Sequence, residues 1–218
     1  SMGAVIGGIY AAGFPVKYMK ELARNLEWEH ITDITFPRKG LIKGEKLLKF
    51  LELITAGKNI EDLNIPFLAI ACDTKTGEHI EINDGPLAQA IRASTAVPGI
   101  YIPFFHQEHL LVDGGVIDPV PASSLRKMGA DIVIAVDVGG KIVNGKAENL
   151  FDILYNTFDI IQHELDKYRE IDADIIITPE LEGLSSFDLS QHEKCFAAGL
   201  NAAQNAFPSI KKIIEESV

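Results

Sequence analysis

Hydrophobic positions along the chain follow two patterns, helical spacing and short apolar runs. Apolar residues that recur every three or four positions predict helices over residues 2–12, 15–26, 44–56, 87–95, 121–128, 148–169, 189–206 and 210–217. Short apolar runs predict strands over residues 67–72, 79–82, 110–112, 131–138 and 175–177. Because apolar strands that alternate with helices are typical of a sheet covered on both faces, we predict an α/β fold with a mostly parallel central sheet.

Several elements have a more specific pattern. The first helix is apolar nearly all round, so we expect it to be buried, with close packing at the Gly7-Gly8 pair and a left-handed end at Gly13. The alternating run 79–82 follows a turn at residues 75–77, which predicts a hairpin. Run 131–138 is the clearest core strand. Between Leu26 and Lys43 the pattern is irregular but rich in large apolar residues, which is compatible with a lid, with an interfacial patch or with an ordinary loop packed on the core.

Composition narrows the class of protein. The 218 residues suit a single domain over residues 1–218, or at most two small ones. A net charge of −11 argues against a nucleic-acid partner, since phosphate binding needs a basic surface. No apolar stretch reaches the ~18–20 residues of a spanning helix. Cys72 and Cys195 have no metal-ligand spacing, so we interpret them as reduced, buried thiols of a cytoplasmic protein.

The first candidate for chemistry is Ser1. It is followed by Met2, Gly3 and a helix rich in small residues, an order similar to the second half of a G-x-S-x-G nucleophile elbow, where a serine sits on a sharp turn into a helix. Two other interpretations stay open at this point. Ser1 could be a plain helix N-cap, or it could be the scar of a cleaved expression tag.

The second candidate is Asp113, which directly follows the strand 110–112 and precedes Gly114 and Gly115. A carboxylate at the end of an α/β strand lies where such folds place their sites. The two glycines would let the backbone approach a substrate or another loop closely. The alternative is a simple Asp-Gly turn.

A third segment, Arg92-Ala-Ser-Thr-Ala-Val-Pro98, is by itself only a helix end before an aromatic turn. In this order, however, the elbow, this segment and the Asp-Gly-Gly motif resemble the patatin-like phospholipase family, to which neuropathy target esterase also belongs. The resemblance covers about the first two-thirds of the chain.

The resemblance implies a three-layer α/β/α sandwich and a Ser–Asp dyad. Ser1 would be the nucleophile that attacks a carboxylic ester of a lipid, and Asp113 the acceptor of its proton. The amide of Met2 would donate to the oxyanion, with Gly3 completing the elbow, and Gly114 and Gly115 would shape the site. Water would then hydrolyse the acyl-enzyme. We expect no cofactor and no metal.

The family's main oxyanion loop, a G-G-G-x-[RK]-G sequence before the serine, has no counterpart here. We therefore expect the chain to lack the strand and the loop that precede the elbow, and to have little activity alone, because one oxyanion donor is worth about 10²–10³ in rate. We expect a lipid or other ester as substrate, and peripheral membrane contact is a further option. The pattern contains no indication of oligomeric state.

Other chemistries fit the sequence less well. His163 and His192 follow Asp113 in the order of an α/β-hydrolase triad, but both fall in predicted helices. His106 and His109 have metal-like spacing without a third ligand. An N-terminal nucleophile hydrolase would open on a strand rather than a helix, and the Gly7-Gly8 pair has no phosphate-loop spacing. A competing function of another class is a non-catalytic patatin-like domain that binds lipid or a partner.

Overall fold

The computed structural model describes residues 1–36, 39–139, 148–184 and 188–217. The chain divides into two compact units. The first comprises Ser1–Pro119 and Asn149–Phe158, and the second comprises Val120–Glu148 and Asp159–Val218. Helices and strands alternate over much of the sequence, which confirms the predicted α/β class.

The first unit contains a four-stranded sheet and the helices packed on it. Its helices are α1 (Met2–Ala11), α2 (Val16–Asn25), α3 (Trp28–Ile31), α4 (Glu45–Ile54) and α5 (Leu87–Ser94). Its strands are β1 (Ala69–Asp73), β2 (His79–Ile82), β3 (Phe104–His106) and β4 (His109–Asp113). A 3₁₀ turn over Gly114–Val116 follows β4 directly.

The prediction of a mostly parallel sheet is wrong for this unit. The strand order is β2-β1-β4-β3, and every neighbouring pair is antiparallel. Ala71 of β1 pairs with Asp113 of β4. The physical reason lies in the connections: β1–β2 and β3–β4 are joined by tight turns, at Gly77 (φ +72°) and Gln107 (φ +52°). A parallel pair would need a crossover of a dozen or more residues.

The core of the first unit lies where α5 packs on the sheet. Leu87, Ile91 and Ala93 of α5 are fully buried, as are Ala71 of β1 and Leu111 of β4. Helix α1 approaches α5 so closely that a β-carbon at Gly8 would lie 2.6 Å from Cδ1 of Ile91. The predicted close packing of the first helix at its glycines is therefore confirmed, as is its left-handed end at Gly13 (φ +91°).

The second unit is built from α6 (Ala122–Lys127), β5 (Ile134–Val136), β6 (Ile175–Ile177) and α8 (His192–Glu216), and α7 (Leu150–Asp166) begins in the first unit and ends in the second. Strands β5 and β6 form a parallel pair with Ala135 opposite Ile176. Within the described ranges, no helix combines the length and the apolar character that crossing a bilayer requires.

Two predictions in the second unit need correction. The run 131–138 forms a strand over Ile134–Val136 alone, and those two end residues are 38% and 55% exposed, so it is not a core strand along its length. Residues 189–206 and 210–217 are not separate helices, because α8 continues through Pro208. Ion pairs between Lys211 and Glu215 and between Lys212 and Glu216 support the turns that follow the proline.

Candidate active site

Ser1 lies at the N-cap position of α1. Its backbone carbonyl accepts hydrogen bonds from the amides of Ala4 and Val5, at 2.9 and 3.3 Å. The hydroxyl makes no capping hydrogen bond, and 42% of the side chain is exposed. A capping serine would use its hydroxyl oxygen to accept from an amide of the first turn. The N-cap interpretation therefore describes where Ser1 lies, but it assigns no task to the hydroxyl.

Asp113 is held rigidly at the end of β4. The residue is only 1% exposed. Its amide donates to the carbonyl of Ala96 at 2.9 Å, and its Oδ1 accepts from the amide of Gly115 at 2.8 Å. Its Oδ2 is buried without a hydrogen-bond partner among the described residues. The Asp-Gly turn is thus real, but it uses one carboxylate oxygen and leaves the other available, and a buried acceptor without a partner is unfavourable unless something fills the role.

Ser1 and Asp113, the two residues that the sequence motifs single out for chemistry, lie next to each other. The backbone nitrogen of Ser1 is 3.8 Å from Oδ1 of Asp113. Elements that are distant in the chain, the start of α1 and the end of β4, therefore meet at one point. The chemical roles of the two side chains stay a prediction at this stage.

Ser94 is a neighbour of this point that sequence reasoning missed. It is the last residue of α5, is 1% exposed, and its hydroxyl oxygen accepts a hydrogen bond from the Ser1 nitrogen at 3.2 Å. The hydrophobic spacing of the sequence could have pointed to Ser94, because it falls on the same face of the helix as Leu87 and Ile91. A serine on a buried stripe needs a polar partner. The segment from Ser94 to Ala96 thus contacts the backbones of both Ser1 and Asp113.

The two glycines after Asp113 are required by close approach. A β-carbon at Gly114 would overlap the backbone carbonyl of Ile70 in β1. One at Gly115 would lie 3.1 Å from Oδ1 of Asp113. Any larger residue at 114 would therefore push the strand end, and with it the carboxylate, away from β1.

Met2 and Gly3 lie in the first turn of α1, where few other atoms of the protein surround them. Met2 is 59% exposed, and a β-carbon at Gly3 would meet no atom within 4 Å. Because amides in the first turn of a helix have no intrahelical acceptor, the amide of Met2 points toward the region before the helix.

Comparison with known proteins supplies the family. The profile of the patatin-like phospholipases matches residues 1–126, a range that contains Ser1, Ser94 and Asp113. The chain belongs to the patatin-like phospholipase family.

Curated relatives agree with this assignment. An uncharacterized NTE family protein of Mycobacterium tuberculosis is 38% identical over 143 residues, which is 64% of this chain and 39% of that protein. Patatin-like phospholipase domain-containing protein 6 of Homo sapiens is 33% identical over 151 residues, 65% of this chain and 11% of that protein. Lysophospholipase NTE1 of Scheffersomyces stipitis is 25% identical over an alignment that covers 97% of this chain and 16% of that protein. The chain thus matches 39% or less of the length of these relatives.

In this patatin-like chain, Arg92 holds the segment behind the site in place. It is 2% exposed, and its guanidinium donates to the carbonyls of Gly44, Lys43 and Ile102 at 3.2, 2.8 and 2.9 Å. Its cationic carbon lies 4.9 Å from the ring centroid of Tyr101. Burial lowers the pKa of the guanidinium below its ordinary value, yet an arginine stays charged near neutral pH. Arg92 is therefore a structural anchor two residues before Ser94.

Two of the histidines considered above, His109 and His192, have local partners. Nδ1 of His109 lies 2.7 Å from Oδ2 of Asp73, a residue that is only 3% exposed. The amide of Lys75 and the ring of His109 lower the pKa of Asp73 below its ordinary value. His192 contacts the carbonyl of Leu189 through Nδ1 at 2.9 Å, and His163 lies within α7.

Neither the histidines nor the cysteines form a metal centre in the part of the chain that the structure describes, where no three candidate ligands cluster. The two thiols differ in environment. Cys72 is buried, and burial followed by the neighbouring charge of Asp73 raises the pKa of its thiol. Cys195 is exposed, so the expectation that both thiols are buried is wrong for it. The reason is that α8, which carries Cys195, has no buried position among its described side chains.

Proposed function

We propose that this chain carries the catalytic dyad of a serine hydrolase that cleaves carboxylic ester bonds of lipids. The observation that carries the proposal is the pairing at the site: the Ser1 nitrogen lies 3.8 Å from Oδ1 of Asp113, whose second oxygen is buried without a partner. Nucleophilic acyl transfer needs a hydroxyl that is not engaged elsewhere and a nearby group that takes its proton, and a serine without a capping hydrogen bond, in a residue close to a buried carboxylate, supports both roles.

The reaction follows in two steps. Ser1 Oγ attacks the ester carbonyl while its proton passes to Oδ2 of Asp113, and the carbonyl becomes a tetrahedral oxyanion. Collapse of this intermediate breaks the ester bond, and the leaving alcohol takes the proton back from Asp113. Water then attacks the acyl-enzyme carbonyl while Asp113 takes its proton. Collapse of this second tetrahedral intermediate breaks the bond to Ser1 Oγ, which takes the proton back from Asp113, and the fatty acid is released.

The surrounding residues support both steps. The amide of Met2, at the start of α1, would donate to the oxyanion, and the positive end of the helix would stabilise the same charge. The Gly115 amide keeps Oδ1 of Asp113 occupied, so that the proton is directed to Oδ2. Gly114 allows this geometry through its contact with β1.

The family membership and the printed name of the Scheffersomyces stipitis relative make a lysophospholipid a suitable first substrate. On the family resemblance alone, we also propose the three-layer α/β/α sandwich for the complete domain. An experimental structure of the complete protein tests that arrangement.

The test of the function is fatty-acid release from a lysophospholipid by the complete protein. Ser1→Ala and Asp113→Asn should each lower kcat by roughly 10³-fold or more, because each removes one half of the dyad. Asp113→Asn keeps the shape and the acceptor for the Gly115 amide, so folding should be retained. The matched control is Asp84→Asn, an exposed carboxylate of the same unit.

Full turnover in the Asp113→Asn variant would rule out the dyad. Absence of any turnover in the parent protein, together with retained lipid binding, would indicate the non-catalytic lipid-binding domain instead.

A further inference from the structure

A short hairpin of the first unit exposes two large apolar side chains side by side. The hairpin comprises residues 33–36 and 39–43, and we call it the 33–43 hairpin. Ile34 is 86% exposed and Phe36 is 78% exposed. We call residues 34–36 the tip of the hairpin. Single exposed hydrophobic residues are common on protein surfaces, whereas exposed hydrophobic residues two positions apart form an apolar contact surface.

The tip is displayed on a fixed base. The amide of Thr35 donates to the carbonyl of Leu41 at 2.9 Å, and the amide of Lys43 donates to the carbonyl of Asp33 at 3.0 Å. Ile34 and Ile42 form an antiparallel bridge. These contacts tie the strands of the hairpin together, so the exposure of Ile34 and Phe36 does not come from loose ends.

The base is also attached to the rest of the unit. The Asp33 carboxylate accepts the amides of Gly44, Glu45 and Lys46 at the start of α4, at 2.7, 3.0 and 3.3 Å. Arg92 of α5 donates to the carbonyl of Lys43 at 2.8 Å. Because α5 ends at Ser94, which contacts Ser1, the hairpin and the proposed nucleophile are anchored on the same helix.

Charge identifies the kind of partner. Lys39 and Lys43 are exposed on the same hairpin, Lys43 at its base. Residues 1–50 contain eight Lys and Arg against five Asp and Glu, a net +3, whereas residues 51–218 contain twelve against 26, a net −14. The exposed apolar side chains therefore lie in the stretch of sequence that carries net positive charge, and positive charge attracts an anionic surface.

We infer that the 33–43 hairpin docks the protein on an anionic lipid surface, with Ile34 and Phe36 inserted among the headgroups and Lys39 and Lys43 on the lipid phosphates. The choice of lipid rather than a protein as partner rests on the proposed function. Apolar insertion and basic attraction are each weak alone and give stable attachment together.

The test is co-sedimentation of the complete protein with phospholipid vesicles, in a Ser1→Ala background so that hydrolysis does not change the lipid. One vesicle is phosphatidylcholine alone, and the other contains about 30% phosphatidylglycerol, a typical anionic content. We expect binding to the anionic vesicle to exceed binding to the neutral one by about thirtyfold, since each of the two lysines near the surface contributes about 1 kcal/mol.

Two pairs of variants separate the contribution of the apolar side chains to vesicle binding from that of the lysines. Ile34→Ser with Phe36→Ser should lower partition onto anionic vesicles about tenfold, while Leu53→Ser, at a residue 79% exposed on α4, should leave it unchanged. Lys39→Glu with Lys43→Glu should abolish the preference for anionic lipid, while Lys211→Glu with Lys212→Glu, on α8, should keep it. All of these side chains are exposed, so the variants should fold.

The inference is overturned if the parent does not bind anionic vesicles, or if the Ile34→Ser, Phe36→Ser variant binds them as the parent does. Unchanged binding of that variant would instead favour another protein as the partner of the hairpin. With Ser1 intact, the same double variant should hydrolyse a water-soluble nitrophenyl ester at the parent rate. If that ester is not cleaved by any form while the vesicle results hold, the proposed function fails and the docking surface stands.

Discussion

The hydroxyl oxygen of Ser94 lies 3.2 Å from the backbone nitrogen of Ser1 and accepts a hydrogen bond from it. Ser94 is buried at the end of α5, and two residues later the carbonyl of Ala96 accepts the amide of Asp113 at 2.9 Å. The end of one helix thus contacts both halves of the proposed dyad. This makes Ser94 a positioning residue, since it would act through the place it gives to Ser1.

Replacement of that hydroxyl should change catalysis more than substrate binding. Ser94→Ala should lower kcat about fivefold with KM nearly unchanged, because a hydrogen bond of this kind contributes about 1 kcal/mol. Steady-state kinetics with a soluble ester provide the measurement. The control is Ser124→Ala, a fully buried serine of α6, which should leave kcat at the parent value. Equal effects of the two changes on kcat would remove the positioning role.

The glycine after the proposed base is a steric requirement. Gly114→Ala should lower the free energy of unfolding by about 1–3 kcal/mol, since the added carbon meets the Ile70 backbone and not a flexible side chain. It should also lower kcat by displacing Asp113. Gly199→Ala in α8, where nothing lies within 4 Å, should be neutral or stabilising by up to about 1 kcal/mol. Urea denaturation of the two variants measures the difference, and similar stabilities for both would contradict the steric account.

The buried guanidinium of Arg92 should be essential for stability. Arg92→Lys should cost about 2–4 kcal/mol, because one ammonium cannot reach the carbonyls of Lys43 and Ile102 in the same geometry and leaves a buried acceptor unpaired. Arg24→Lys changes a surface arginine paired with Glu21 and should cost less than about 0.5 kcal/mol. Thermal and urea unfolding measure both. A mild Arg92→Lys variant would show that the anchor is not needed.

Acid should remove a stabilising contribution of Asp73. Its pKa is lowered in the folded protein, first by the Lys75 amide and then by His109, so the folded state binds this proton less readily than the unfolded chain. The contribution is therefore complete above the unfolded pKa, about 3.9, and is lost as the pH falls through the lower, folded pKa. The stability difference between the parent and Asp73→Asn should be constant near neutral pH and should shrink below about pH 4. The exposed Asp84→Asn is the reference, and a difference that grows toward acid pH would have the wrong sign.

Local pattern was sufficient to predict most of the elements. The apolar run before Gly13 forms the predicted helix, and the alternating run 79–82 forms the predicted hairpin strand. The expectation that the first helix is buried is wrong for one of its faces, because Met2, Ile6 and Tyr10 are each at least 50% exposed. Strand direction was not predictable in the same way, because it depends on what joins the strands. The sequence over Phe104–His106 predicts an aromatic turn, but in the structure it is a strand. Its two-residue connection to β4 is what makes the two strands pair antiparallel.

The candidate site was predictable in part for a related reason. Ser1 and Asp113 stand out because each is a reactive residue beside small ones at the end of an element. Ser94 does not stand out, because its task depends on a contact with a residue far along the chain. Arg92 was noticed only as part of a segment, since burial of a charge, and the pKa change that burial causes, depend on the tertiary structure.

In the proposed mechanism, the Ser1 hydroxyl is an activated nucleophile and Asp113 is its base. The most direct test of this mechanism is covalent labelling of the complete protein with a fluorophosphonate, followed by peptide mass spectrometry to locate the adduct. The label should be on Ser1, should disappear in Ser1→Ala, and should form at least about a hundredfold more slowly in Asp113→Asn. A label on another residue, or an unchanged rate in Asp113→Asn, would contradict this mechanism.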